Sequence, residues 1–352
     1  MARIAIEEHW ILPELDAALG ALPTDRRDES LAFNDVGDHR QRLEDLGVGR
    51  IAAMDAQGID LSIIALTPPG TQALSPADAV RLSRAANDTA AAAVSRHPSR
   101  LRSLSTLPMS APEEVAAELE RAARLGHVGT MVYGRSGDVL LDDPVYDEFF
   151  SAAMRLSQPV FIHPQLPSPA LRDASYRGFD PPTELALATF GWGWHLDAAL
   201  AALRLIIRGT FDRHPDLQIV LGHWGEMLLF WLDRADSLSR IAGLQRSVSE
   251  YVQSNFWITA SGMLDPALLQ HVLSVTSIDR LIFSTDYPFQ LPTHEQIDSF
   301  LGHFTSDEDR HKFSSANAEA LFGLGAMGPP GPTVRPASNA NGTTDPDESE
   351  HR

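Results

Sequence analysis

Cysteine is absent from this 352-residue chain. That excludes disulfides, thiolate nucleophiles and every cysteine-ligated zinc site, and it leaves any metal to His, Asp and Glu. Lysine is almost absent: Lys312 is the only one, so nearly all other fixed positive charge is arginine. No apolar run approaches the ~20 residues that cross a bilayer. The first residues lack the charged and apolar regions of a signal peptide, so a cytoplasmic location is expected, with no membrane partner. Positive charge as a whole is scarce, with 28 Lys and Arg against 47 Asp and Glu and a formal net charge of −19. Such a surface repels phosphate backbones, so nucleic acid is not an expected partner. A small anionic substrate stays open, because a metal or a local arginine reverses the field inside a cleft.

What remains is a globular composition, 43% hydrophobic and 21% charged, long enough for one large domain or two ordinary ones. Short apolar runs recur at 4–9, 61–66, 101–107, 128–133, 159–162, 217–221, 256–259 and 281–284. They are continuous rather than alternating, as parallel strands buried on both faces are. Helical spacing is read between them over 41–58, 76–96, 112–125, 143–156, 194–209, 225–241, 246–254, 266–275 and 316–322. Segments 10–40 and 165–185 read as long loops, the first covering a site with some helix inside. Eight βα units in one chain predict a (β/α)8 TIM barrel, with a doubly wound sheet as the alternative of equal length. The barrel domain is expected over residues 1–325, followed by a disordered Pro-, Gly-, Ser- and Asp-rich tail over 326–352.

In a barrel of this kind the chemistry sits at the C-terminal ends of the strands. The first run ends in Glu7-Glu8-His9. Glu7 and His9 are two apart, so on an extended backbone both point the same way. By themselves they are half of a metal site or a solvated acidic corner. Run five ends in His163, run six in Gly222-His223 and run eight in Thr285-Asp286. Polar residues at four strand ends of one barrel would converge on one mouth, which favours a shared metal site. His223 and Glu226 lie three apart where a helix is expected to begin. That places them on one helical face, lets Glu226 orient the His223 ring, or makes a simple dipole-complementing pair.

These pieces resemble the amidohydrolase superfamily, and within it the branch holding γ-resorcylate, dihydroxybenzoate and 5-carboxyvanillate decarboxylases. The matching residues are Glu7-Glu8-His9, Thr106-Leu107-Pro108, Ile162-His163-Pro164, Gly222-His223-Trp224-Gly225-Glu226, Ser284-Thr285-Asp286-Tyr287-Pro288-Phe289 and Asn317-Ala318. Glu-x-His on the first strand, where hydrolases of the superfamily usually carry His-x-His, points to the decarboxylase side. The resemblance implies one divalent ion per chain, zinc or manganese, bound by Glu7, His9, His163 and Asp286, with no organic cofactor. A lysine-bridged pair of metals is excluded, since run four ends at Tyr133 and Lys312 is far off in sequence.

The resemblance further implies that Asp286, His223 and Glu226 are catalytic and that Arg234 helps hold substrate. The chain departs from the pattern in three places: Asp233 where a Trp is common, Tyr133 where Asn is common, and Leu229 where Pro is frequent. Tyr133, His195 and Phe289 are candidate substrate contacts, with Trp10, Trp192 and Trp194 as further aromatic wall residues. The expected activity is non-oxidative decarboxylation of a small aromatic acid with an ortho hydroxyl, by a homodimer or homotetramer. Metal-dependent hydrolysis or hydration on the same barrel is the alternative, and a non-catalytic binding module is a third.

Overall fold

The structure is a computed structural model describing residues 1–24 and 26–325. The tail expected over 326–352 lies outside the described residues. Eight parallel strands form one sheet in chain order. They are β1 (Ile4–Trp10), β2 (Leu61–Leu66), β3 (Leu101–Thr106), β4 (Gly129–Tyr133), β5 (Val160–His163), β6 (Ile219–Leu221), β7 (Phe256–Thr259) and β8 (Leu281–Ile282). Helices follow the strands, and the sheet closes where His9 N–H donates to the Tyr287 carbonyl over 2.7 Å beside a bridge between Glu8 and Tyr287. The result is a nearly closed TIM barrel. Two-residue strands from Arg135–Ser136 and Val139–Leu140 form a small separate ribbon.

Continuous apolar runs separate into two packed layers, as a strand's two-residue period requires. Ile4, Ile6, Leu61, Ile63, Leu104, Met131, Phe161, Val220 and Ile282 fill the barrel, and Ala318 and Phe322 pack against that filling. Alternate residues such as Ala5, Ile64, Val132, Ile162, Ile219 and Ile258 pack outward beneath the helices. The helix Pro76–Arg96 shows how that layer is tied down. Ser75 caps its first turn by accepting from Asp78 N–H, with Pro76 preset for helix. Its buried face carries Ala79, Leu82, Ala86, Ala90 and Ala93 at helical spacing. Buried Asn87 on the same face exchanges hydrogen bonds with the Thr106 backbone, at 2.9 and 3.0 Å, and donates to Glu118.

Three segments depart from expectation. The helix expected over 41–58 is two, His39–Glu44 and Val48–Gln57, parted by extended backbone at Asp45. The 165–185 loop contains the helix Pro169–Ser175 and leads into Pro181–Ala188, each capped by the residue before its proline (Ser168, Asp180). Pro169 and Pro181 stand at first helical positions, where proline favours helix. The helix expected over 225–241 is broken into Leu228–Trp231, Leu232–Ala235 and Ser237–Ala242, preceded by five consecutive residues, 223–227, at positive φ.

Candidate active site

The interior columns of the barrel continue upward into the site. His163 stands two residues above Phe161, and Asp286 four above Ile282. By the same rule Glu8, two above Ile6, should point inward. It does not, because the β1–β2 register shifts between Ala5 and Glu8. The slip changes the phase of the strand. Glu7 and His9 enter the mouth, while Glu8 accepts from the Thr285 backbone N–H at 3.0 Å and hydroxyl at 2.6 Å. Buried Arg50 supports the strand from outside, its guanidinium donating to the His9 carbonyl at 2.5 Å and lying 4.7 Å over the Tyr287 ring.

Glu7, His9 and His163 are buried and bring one potential ligand atom each to within 4.8 Å of one another. Glu7 Oε1 and both His9 ring nitrogens have no hydrogen-bond partner. His163 donates Nδ1–H to the Pro164 carbonyl at 2.7 Å, which leaves the Nε2 lone pair facing Glu7 Oε1 at 3.7 Å. The second Glu7 oxygen accepts from Ser261 Oγ. Asp286, in the left-handed region at φ 60°, sets Oδ1 3.2 Å from His9 Nε2. Burial pushes the Glu7 carboxyl up to about 8 and Asp286 up to about 7, against the pull of His223 on each. Burial pulls His9 down to about 3, helped by His223 and Arg50, and holds His163 well below its usual range. Buried acids and imidazoles with orphaned atoms are the donor set a divalent cation satisfies, and oxygen and nitrogen ligands without thiolate suit zinc or manganese. The residues therefore fit the ion that the strand-end pattern implies.

A second cluster adjoins the first. The Glu226 carboxylate is fully buried and accepts from His223 Nδ1–H and His195 Nδ1–H, both at 2.7 Å. Burial alone would raise Glu226, but the two imidazoles hold it at about 2. Burial alone would lower His223, but Glu226, with Glu7 and Asp286, lifts it to about 10. The bond between His223 and Glu226 is formed not on a helical face but by the left-handed turn at 223–227, anchored where His223 N–H donates to Ser261 Oγ at 2.7 Å.

Both clusters open on a cavity of about 600 Å³. Its floor carries His163, His223, Ser261 and Asp286, its walls Trp194, Phe190, Met263 and Phe289, and its cover Phe33, Asn34, Val36 and His39. The 10–40 segment thus covers the site, with the helix Pro13–Gly20 and the 3₁₀ turn Glu29–Asp35 inside it. Among the described lining residues there is no Arg or Lys.

Of the residues singled out in the sequence, Phe289 and His195 line this cavity. Tyr133 lies one layer back, buried beneath Gly70 and edge-on to the His163 ring. Arg234 is exposed and outside the cavity lining, on the short helix Leu232–Ala235 of the broken segment. Trp10 is in the core, Trp192 is exposed, and Trp194 lines the wall. Sequence reasoning missed Ser261 and Arg50, and within the covering segment it did not single out Phe33, Asn34 or His39. Ser261 alone carried a signal, standing just past the end of β7.

The amidohydrolase family model matches residues 11–324, nearly all of the described chain. This chain belongs to the amidohydrolase family. Among its relatives, the γ-resorcylate decarboxylase of a Polaromonas species is 35% identical over 342 residues, covering 92% of this chain and 98% of that one. A solved 5-carboxyvanillate decarboxylase from Novosphingobium aromaticivorans, with manganese and 4-hydroxy-3-methoxy-5-nitrobenzoic acid, superposes at TM-score 0.83 and 32% identity, covering 92% and 96%. A Polaromonas dihydroxybenzoic acid decarboxylase with manganese and 2-nitroresorcinol superposes at 0.78 and 32%, covering 93% and 98%. The amidohydrolase match begins after Glu7 and His9, so for those two residues the site geometry is the independent support.

Proposed function

We propose that this chain is a metal-dependent, non-oxidative decarboxylase of an aromatic acid bearing a hydroxyl ortho to its carboxylate. The observation that carries the reading is the aromatic-walled cavity without fixed cations, opening directly onto Asp286, His223 and the Glu7–His9–His163 trio. Such a wall accepts a planar ring, and among the described lining residues the histidines, with whatever the trio holds, are the groups able to bring positive charge to its anionic end. Glu7, His9, His163 and Asp286 would hold one zinc or manganese ion, which when bound supplies the positive charge that draws in the carboxylate and the ortho oxygen.

Asp286 delivers a proton to the ring carbon that bears the carboxylate. That carbon becomes tetrahedral, the bond to the carboxylate breaks, and its electron pair restores the aromatic ring as carbon dioxide leaves. Asp286 regains its proton from solvent. His223, with Nδ1 committed to Glu226, keeps Nε2 for the phenolic oxygen and stabilises charge there. The cover over residues 29–39 limits water. Exposed Phe230, Trp231 and Ile241 on the broken-helix segment support a homodimer or homotetramer, and the composition supports a cytoplasmic setting.

The test is a panel of ortho-hydroxybenzoates given to manganese- or zinc-reconstituted protein, with carbon dioxide and the phenol product followed by chromatography. Product that disappears with chelator is expected. Turnover of esters or lactones, with none of the acids consumed, would replace this reading with hydrolysis.

A further inference from the structure

His195 is a cavity residue by position, but its hydrogen bonds face away from a substrate. Nδ1 meets Glu226 Oε2 at 2.7 Å and Nε2 meets the Phe190 carbonyl at 2.9 Å. Both partners are acceptor oxygens, so each ring nitrogen is turned to a protein atom. No ring nitrogen is then left for a ligand. The carboxylate it serves has no solvent exposure, and His223 occupies only the other oxygen. A buried carboxylate with one oxygen undonated is costly, and a carboxylate free to rotate would not hold the His223 ring in one orientation. The two imidazole rings also touch each other, with centroids 4.6 Å apart.

The strut also reaches the cover of the site. His195 lies in the first turn of the helix Gly193–Ile207, and its bond to the Phe190 carbonyl fixes the loop before that helix. The Phe190 ring packs 5.5 Å from Phe33 of the cover, and Phe33 also meets Trp194 edge-on at 6.0 Å.

We propose that His195 is a positioning residue, not a substrate contact: it locks Glu226, and through Glu226 it fixes the His223 ring and ties it to the Phe190 loop. This rests on the decarboxylase reading only for its kinetic arm. The three ring and carboxylate groups also have the composition of a small metal site. Their 2.7 Å mutual bonds fill the atoms an ion would need, so one ion per chain is expected.

The experiment compares wild type, His195→Gln and His195→Ala, all loaded with zinc, with metal content measured. In His195→Ala, kcat falls roughly 10- to 100-fold with KM within about threefold, the size seen when a partner orienting an active-site ring is lost. His195→Gln, which keeps an amide donor, falls less and guards against a folding failure. Added imidazole restores part of the His195→Ala rate and none of the Gln variant's. Independently of any turnover, ¹⁵N-histidine spectra show the His223 ring resonances moving in both variants. A raised KM with kcat intact would return His195 to substrate binding. Unmoved His223 resonances, or two ions per chain falling to one in the variants, would overturn the proposal. If no acid is decarboxylated while the His223 resonances still move, the functional reading fails and the positioning role stands.

Discussion

Two clusters of the same residue types lie side by side at the barrel mouth, yet their electrostatics run in opposite directions. In Glu7, His9 and His163 one Glu7 oxygen and both His9 nitrogens are orphaned, and burial drives carboxyl and imidazole alike toward their neutral forms. In Glu226, His223 and His195 each carboxylate oxygen has its own imidazole donor, and the mutual attraction drives the Glu226–His223 pair toward its charged form against the same burial. The difference is one of partnering, not composition. A buried acid beside an unpartnered imidazole offers ligand atoms to a cation, whereas a buried acid clamped by two imidazoles is already neutralised and serves as a rigid support.

Breaking the first cluster is expected to have the largest effect. Glu7→Gln or His163→Ala should lower metal content well below one ion per chain and cost activity more than about 100-fold, beyond the loss typical of an outer partner. Elemental analysis and turnover check this, and full metal with full activity in either variant would dissolve the distinction between the clusters. Next comes Asp286→Asn, expected to cost about 10²–10⁴ in kcat with the thermal midpoint nearly unchanged, as loss of a proton donor does. Near-normal turnover would remove Asp286 from the chemistry.

Gly222 separates the two clusters. A Cβ there would stand 2.8 Å from Ser261 Oγ and 3.1 Å from both Glu226 Oε1 and Glu7 Oε1. Gly222→Ala should therefore disturb both at once, with kcat lower by roughly 10- to 100-fold and metal bound more weakly, as when orienting partners are displaced. An effect on one readout alone would show which cluster yields. The smallest effect is a control outside the mouth. Buried Asp142 accepts from Arg204 at 2.7 and 3.0 Å and from Arg208 at 3.0 Å. Burial raises its carboxyl, but the two arginines outweigh it and hold it below the usual range. A depressed carboxyl contributes stability that is full above its unfolded value of about 3.9 and is lost as pH falls through the folded one. Asp142→Asn should cost roughly 1 kcal/mol at neutral pH, since its arginines are partly exposed. The difference between variant and wild-type melting should narrow as pH falls below about 3.9, with kcat unaffected throughout.

Much of the barrel was legible because a parallel strand buried on both faces leaves an unbroken apolar run, and each run here ends in a turn signal or a polar residue. His163 and Asp286 could be placed because the interior columns Phe161 and Ile282 continue to them at the strand period. The broken segment at 223–242 was not legible. Its residues have helical propensity, and the left-handed turn is held by tertiary bonds, from His223 N–H to Ser261 on the neighbouring strand end and from the Trp224 indole N–H to the Met263 carbonyl. Arg234 therefore lies on a short separate helix, Leu232–Ala235, and not on a helix continuous with Glu226. The helices at 169–175 and 181–188 were hidden by prolines that serve equally as loop formers and helix starters.

The sequence alone determined the class of chemistry. Without cysteine and with one distant lysine, only His, Asp and Glu at strand ends remained to bind a metal, and their order along eight βα units implied a common mouth. Tertiary structure decided which of them work together. The register slip in β1 turned Glu7 and His9 inward and Glu8 away, and closure against Tyr287 brought His9 to Asp286. The approach of helix Gly193–Ile207 set His195 on Glu226. Local periodicity fixes which way a side chain leaves its own strand, but contacts across tens or hundreds of residues depend on register and closure, which no local pattern encodes.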